Sequence, residues 1–265
     1  MSNLSIGQAW DQTSAFLRAE ARLVVPVALA AFAVPSTLAG WTHPAGEMSG
    51  SGPGVLLTLL VLVAVLIGQM TIAALAIGSK DSVGSLIGRA ARRVWGPVAA
   101  VIMVFLPVAL LMLLMLSAIV GAAGITDPSK MTPEAMASSP QIGLILLCML
   151  VLILLVGVRL LPMSAVAIEE TPRPVALLRR CLALTKGHFW RLLGLLMLMV
   201  LAALLLSGAV TAVVGAVVTL AVGEARPFNL SALLIGLANG LSSAAITAVS
   251  AALVGRVYVQ LNAKS

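Results

Sequence analysis

Six long apolar runs dominate the sequence and restrict the folds that it can adopt. They cover, in chain order, about residues 21–40, 54–77, 95–123, 141–163, 189–222 and 230–258. About 20 consecutive apolar residues are enough for a helix to cross the hydrocarbon core of a bilayer. A helix also satisfies its own backbone hydrogen bonds in lipid, and the alternating stretches of about ten residues that build a membrane β-barrel are missing. We therefore predict one all-α domain over residues 1–265, a polytopic membrane bundle of about six transmembrane helices.

The small share of charged residues supports this prediction. Only 9% of the residues are charged, whereas soluble domains carry about 25%. So few charges cannot cover a surface that faces water, and most of the outer surface is therefore expected to face lipid.

The fifth apolar run is longer than a bilayer requires. Residues 189–222 would form a helix of about 51 Å at about 1.5 Å per residue, whereas the hydrocarbon core is only about 30 Å thick. Such a helix must tilt, begin in the interface, or break near Gly208 or Gly215. We expect an unbroken helix that begins in the interface and tilts.

Lysine and arginine residues are concentrated on one side of the predicted bundle. An even number of spans places both termini on the same side, and 14 of the 16 cationic residues fall there, with Lys130 and Arg226 as the exceptions. The net charge is 14 − 5 = +9 on that side and 2 − 4 = −2 on the other, which sums to the overall +7. The positive-inside rule then predicts cytoplasmic termini in a bacterial inner membrane. Nucleic-acid binding is disfavoured, because the cations lie beside apolar runs.

Three segments with helical amphipathic patterns lie on this basic side, at about residues 4–20, 78–94 and 175–187. We predict that they form cytoplasmic helices in the membrane interface. Each cation near an anionic leaflet is worth about 1 kcal/mol of attraction, so these segments are candidate binding sites for acidic lipid headgroups. The candidate residues are Arg89, Arg92, Arg93, Arg179, Arg180, Lys186 and Arg191. The alternative is that these residues only determine topology and anchor the helices.

Small residues recur at every fourth position in the last two runs. Ser207, Thr211 and Gly215 form such a stripe in the fifth run, and Gly236 and Gly240 belong to another in the sixth. Small residues at this spacing allow helix backbones to approach closely. We expect the stripes to pack spans against each other within one chain, and the alternative is a homo-oligomer interface.

Polar side chains also interrupt the second and sixth runs. The candidates for lining a polar path through the membrane are Gln69, Asn239, Ser243 and Thr247. Such groups mark transport pathways in some membrane proteins, but they also hydrogen-bond neighbouring helices. No Asp, Glu or Lys falls in the middle of a run, which argues against a proton-coupled transporter.

No arrangement of catalytic or metal-binding residues emerges from the sequence. The two histidines, His43 and His188, fall on opposite sides of the predicted membrane and so cannot share a site. Ser242 has only a faint resemblance to a serine nucleophile elbow, and without a histidine base it stays a poor nucleophile. Cys148 and Cys181 have neither metal-ligand nor disulfide spacing. We therefore predict a protein that is not an enzyme and uses no metal or cofactor.

One segment carries a family resemblance. Residues 176–194, ALLRRCLALTKGHFWRLLG, place a basic helix directly before a long apolar run. This segment resembles a motif of the bacterial glycerophosphoryl diester phosphodiesterase membrane-domain family and of related six-span proteins, although Cys181 stands where serine is commoner. The family name comes from members fused to a phosphodiesterase domain, whose barrel and metal ligands this sequence does not contain. The resemblance therefore implies a membrane module rather than a hydrolase.

Two functional hypotheses follow from these patterns. The leading one is a non-enzymatic integral membrane module that contacts lipid, with anionic headgroups favoured, or a partner protein through its basic cytoplasmic face. The alternative is a transporter or channel component with a polar path lined by the second and sixth spans.

Overall fold

The computed structural model describes residues 6–42, 52–122, 140–170 and 173–262. Within these ranges the chain forms helices joined by turns, and no β-strand is present. The helical elements in chain order are α1 (Ile6–Ala19), α2 (Ala21–Ala28), a π-helical turn (Leu29–Ala33), α3 (Val34–Thr42), α4 (Gly52–Ile77), α5 (Val83–Arg93), α6 (Trp95–Ala122), α7 (Pro140–Leu160), α8 (Met163–Glu169), α9 (Pro174–Thr185), α10 (Phe189–Val222) and α11 (Leu230–Asn262). The predicted all-α fold class is confirmed.

Six helical stretches are long and apolar enough to cross a membrane, and the chain is a multi-pass membrane protein. The first to sixth spans are Ala21–Thr42, Thr58–Ile77, Trp95–Met115, Leu147–Glu169, Phe189–Val222 and Leu230–Asn262. They correspond one to one with the six apolar runs. Most of the two loops predicted after the first and third spans lies outside the described residues, and so do His43 and Lys130.

The long fifth run forms one unbroken helix, whereas the fourth span is divided and extends beyond its predicted run. α10 has 34 residues, so the break considered at its glycines does not occur. In the fourth span, α7 ends at Leu160, and Pro162 then precedes α8, which continues to Glu169, six residues past the predicted end at 163. Because proline has no backbone N–H and its ring crowds the preceding turn, it interrupts a regular helix at this point.

The first span contains an irregularity that its apolar pattern does not reveal. Pro26 lies inside α2 and cannot donate a backbone hydrogen bond to the preceding turn. The π-helical turn follows directly, and the N–H of Val34 donates to the carbonyl of Leu29 across it. Within this turn Phe32 is almost fully buried, with only 1% of its surface exposed.

Phe32 packs against the second span at Gly68, which has no side chain. A Cβ atom added to Gly68 would lie 2.5 Å from the Cβ of Ala31 and 2.7 Å from Cε1 of Phe32. Carbon atoms prefer separations of about 3.5–4.0 Å. Glycine at this position therefore allows the first and second spans to approach closely.

The sixth span makes a similarly close contact with the first span. A Cβ atom on Gly240 would lie 2.7 Å from the carbonyl oxygen of Ala33 and 2.5 Å from Oγ1 of Thr37. One turn earlier, a Cβ atom on Gly236 would lie 3.0 Å from the carbonyl oxygen of Thr37. This part of the predicted small-residue stripe thus faces another span of the same chain.

The second span packs against the sixth nearer the other end of the latter helix. A Cβ atom on Gly255 would lie 2.8 Å from the carbonyl oxygen of Ala73. Met70 and Ile72 of the second span are fully buried, as is Leu253 of the sixth. The first, second and sixth spans, together with α8, therefore form the core of the bundle.

The third and fifth spans lie at the periphery of the bundle. Most of their apolar side chains are exposed, for example Leu106 at 64% and Leu220 at 89%. An apolar surface of this extent is unfavourable in water, and in a membrane it contacts lipid tails.

The small-residue stripe of the fifth span has a different environment from that of the sixth. Nothing lies within 4 Å of a Cβ atom added to Gly215. Ser207 donates its hydroxyl hydrogen bond to the carbonyl of Leu204 in its own helix. Thr211 instead reaches the sixth span and donates to Oδ1 of Asn239 at 3.0 Å. Of these three residues, Thr211 therefore links the fifth span to the sixth by a side-chain hydrogen bond.

Candidate functional site

The three short amphipathic helices α1, α5 and α9 are gathered at one end of the bundle. Contacts with the end of the fourth span and with the last turns of the sixth hold them there. The contacts are Arg256 over Phe16, Arg93 to Ile168, and Arg180 to Glu170 and Asn262. We call this part of the molecule, formed by α1, α5, α8, α9 and the last turns of α11, the basic end.

The sequence of α5 explains how this helix forms and which way it faces. Ser82 caps its N-terminus by accepting a hydrogen bond from the N–H of Ser85 at 3.4 Å. Leu86 and Ala90, four residues apart, are fully buried on one face. The last turn carries two arginines, whose charges interact favourably with the negative end of the helix dipole.

α9 also buries one face, but different residues define its two ends. Pro174 occupies the first turn, where a missing N–H costs nothing. Leu177, Cys181 and Leu184 share the buried face. Gly187, at φ +85°, then lets the chain turn into α10 through a backbone conformation that L-residues rarely adopt.

Arg93 fixes α5 to the end of α8. Its guanidinium donates to the carbonyl oxygen of Ile168 at 2.6 Å and lies 3.5 Å from that of Ala167. Carbonyls in the last turn of a helix have no intrahelical partner. Arg93 therefore satisfies backbone groups of another helix rather than pointing freely outward.

Arg180 fixes α9 to α8 and to the last span. Its Nε donates to both carboxylate oxygens of Glu170, at 2.8 and 3.1 Å, and an NH2 group donates to Oδ1 of Asn262 at 2.8 Å. The hydroxyl of Tyr258, a buried residue, donates to the same carboxylate at 2.8 Å. Glu170 therefore joins three elements through charge-assisted hydrogen bonds. The pattern of apolar runs gave no indication of this role for Glu170 and Tyr258.

Two further arginines near the ends of spans lie over aromatic rings. The guanidinium of Arg159 is 5.7 Å from the ring centre of Phe189, and it lies 3.4 Å from the hydroxyl of Thr185. The guanidinium of Arg256 is 5.3 Å from the ring centre of Phe16 in α1. Both distances are within the range of cation–π attraction.

Other predicted headgroup-binding residues are turned outward. Arg92, Arg179 and Lys186 are exposed, and their side chains make no hydrogen bond or ion pair with any described residue. Arg89 pairs with Asp81 on the surface. Arg191 is exposed at the first turn of α10.

A small cleft lies on the outward side of α5. It has a volume of about 340 Å³ and is lined by Ser85, Arg89, Arg92 and Arg93. Arg89, Arg93 and the hydroxyl of Ser85 already have partners within the protein. The guanidinium of Arg92 is left to donate to a phosphate group.

The buried thiol of Cys181 lies near the carboxylate of Glu170. Burial, and to a smaller extent the nearby carboxylate of Glu170, raises the pKa of Cys181 from 9.0 to about 12. Because the thiolate is the reactive form of cysteine, this thiol is inert near neutral pH.

The residues predicted to line a polar path are not joined by hydrogen bonds. Asn239 accepts its hydrogen bond from Thr211 in the adjacent span. Gln69, Ser243 and Thr247 are half-buried and make no side-chain hydrogen bond to the described parts of the chain.

Within the described ranges, no three His, Cys, Asp or Glu side chains lie close enough together to hold a metal ion. Comparison with known proteins adds no assignment, because no family model, curated protein or solved structure matches the chain. The resemblance of residues 176–194 to the phosphodiesterase membrane-domain family remains a prediction.

Proposed function

We propose that the chain is a non-enzymatic module of a bacterial inner membrane that binds anionic lipid headgroups through its basic end. In this orientation the basic end faces the cytoplasm, as the distribution of lysine and arginine favours. The observation that supports this proposal is that the cationic residues fall into two groups, one in contacts within the protein and one exposed. Arg93 and Arg180 hold helices together, whereas Arg92, Arg179 and Lys186 are exposed without a partner among the described residues.

Outward-facing cations at the level of lipid headgroups attract phosphates. Each such cation is worth about 1 kcal/mol near an anionic leaflet. Arg92 also lines the cleft on α5, and its guanidinium can bind phosphate oxygens through paired hydrogen bonds. Phosphatidylglycerol, with one negative charge and no ammonium group, suits such a surface.

The association of spin-labelled phosphatidylglycerol with the reconstituted protein tests this proposal. Replacing Arg92, Arg179 and Lys186 together by glutamine should weaken association by up to about 3 kcal/mol, or roughly 100-fold. Arg226→Gln is a suitable control, because this arginine lies at the opposite end and is 4.0 Å from Glu224. Unchanged association in the triple variant would leave these cations with a role in topology alone.

Reporter fusions test the orientation separately. Alkaline phosphatase fused after Ser49 or Lys130 should be active, because both positions are expected in the periplasm. Activity of a cytosolic reporter at either position would contradict the cytoplasmic location of the basic end.

A further inference from the structure

A groove between the fifth and sixth spans is separate from the exposed cations of the basic end. The two spans form a helical hairpin, and the hydrogen bond from Thr211 to Asn239 joins them a few turns from their connection. Between this bond and the basic end, a groove of about 630 Å³ separates the helices. Its walls are almost entirely apolar, and α1 covers it at the basic end.

The groove is about as long as one leaflet of a bilayer is thick. On α10 it extends from Leu206 to Leu195, which corresponds to about 17 Å at about 1.5 Å per residue. Half of a hydrocarbon core is about 15 Å. The bond between Thr211 and Asn239 joins the two spans beyond Leu206. A groove of this length that begins in the interface reaches to about the bilayer centre.

The position of α1 favours a hydrocarbon chain over a protein helix as the occupant. A spanning helix placed in the groove would meet α1 at the basic end. An acyl chain ends at a headgroup in the interface, and it is the apolar group that a bilayer supplies at this depth.

The mouth of the groove carries a negative charge and an aromatic ring. α1 contributes the carboxylate of Asp11 and the half-exposed ring of Trp10 to the lining. Tryptophan at the interface is typical of headgroup contact.

This charge pattern selects among phospholipids. A headgroup with only a negative charge would be repelled by Asp11. A headgroup with a primary ammonium matches this carboxylate, because the two groups form charge-assisted hydrogen bonds. We propose that a phosphatidylethanolamine-type lipid inserts one acyl chain into this groove, with its ammonium at Asp11.

Native mass spectrometry of the detergent-purified protein tests this site. The protein is mixed with equal amounts of phosphatidylethanolamine and phosphatidylglycerol that carry identical chains. The wild type should retain one phosphatidylethanolamine molecule. Ala202→Phe, which fills the groove, should reduce this retention at least about tenfold, whereas Ala212→Phe, at an exposed position of the same span outside the groove, should not.

A second variant tests the headgroup without altering the apolar walls. Asp11→Asn should keep the groove occupied but reduce the preference for phosphatidylethanolamine over phosphatidylglycerol by about tenfold. The triple variant of Arg92, Arg179 and Lys186 should retain the lipid, which separates this site from the proposed headgroup surface. Equal retention by Ala202→Phe and wild type would overturn the proposal, as would a wild type that holds no lipid. A dimer lost in Ala202→Phe would identify a second copy of the chain as the occupant instead.

Discussion

The same substitution at two glycines should have very different effects on the stability of the bundle. Gly240 and Gly215 both belong to small-residue stripes, and both are candidates for helix packing from their spacing. A Cβ atom at Gly240 would lie 2.7 Å from the carbonyl oxygen of Ala33, whereas at Gly215 it meets nothing within 4 Å. Gly240→Ala should therefore destabilise the protein, and Gly215→Ala should not.

The expected size of the difference follows from the nature of the neighbouring atoms. Adding a group to a closely packed site costs about 1–3 kcal/mol. At Gly240 the first and sixth spans must move apart, because the carbonyl of Ala33 is backbone and cannot rotate away. Each span is already helical before the bundle assembles, so the higher helix propensity of alanine largely cancels between the two states. We expect a loss of about 2 kcal/mol for Gly240→Ala and close to zero for Gly215→Ala.

Reversible unfolding in mixed micelles of mild detergent and dodecyl sulfate measures both values. A loss of about 2 kcal/mol changes the unfolding equilibrium roughly 30-fold. Near-ultraviolet circular dichroism reports on tertiary packing and separates bundle opening from helix loss. Equal stabilities of the two alanine variants would refute the assigned contact between the first and sixth spans.

Further predictions concern three other parts of the structure. Glu170→Gln should lower the free energy of unfolding by about 2 kcal/mol, because it weakens the charge-assisted hydrogen bonds with Arg180 and Tyr258. As a control, Asp81→Asn, in an exposed ion pair, should change this free energy by less than about 1 kcal/mol in the same assay. In a Cys148→Ser background, Cys181 should resist maleimide at pH 8 until the protein unfolds, because its pKa is about 12. The folded state holds the thiol proton of Cys181 more tightly than the unfolded state does. The resulting contribution to the free energy of unfolding should be fully present below pH 9 and lost toward pH 12, as unfolding measured at a series of pH values will show. Asn239→Leu should leave solute flux into liposomes unchanged, and a wild-type flux that this variant abolishes would favour the polar-path alternative.

The spans could be predicted from the sequence because lipid leaves a long apolar segment few alternatives. The predicted fifth run and α10 share the same bounds, Phe189–Val222. The irregular parts were not predictable from hydropathy. The π-helical turn after Pro26 leaves the average apolar character of its run unchanged, and α8 continues six residues beyond the predicted end of the fourth run.

The candidate site was predictable as a concentration of charge but not in its internal contacts. Arg92 and Arg93 are adjacent in the sequence, yet only Arg93 reaches a carbonyl, at Ile168, 75 positions away. Helical periodicity identifies a face of a helix, but it does not identify the residue that this face meets. The different environments of Gly215 and Gly240 have the same explanation, because equal spacing carries no information about the neighbouring span.

The central position of α11 has a consequence for biogenesis. Its start, Leu230, is translated about 150 residues after α4 ends at Ile77. At about 5–20 residues per second, the first two spans must wait roughly 8 to 30 s for the helix that packs against both of them. During that interval the surfaces of the first and second spans that later meet the glycines of α11 contact lipid or the insertion machinery. The core closes only when translation has passed residue 255.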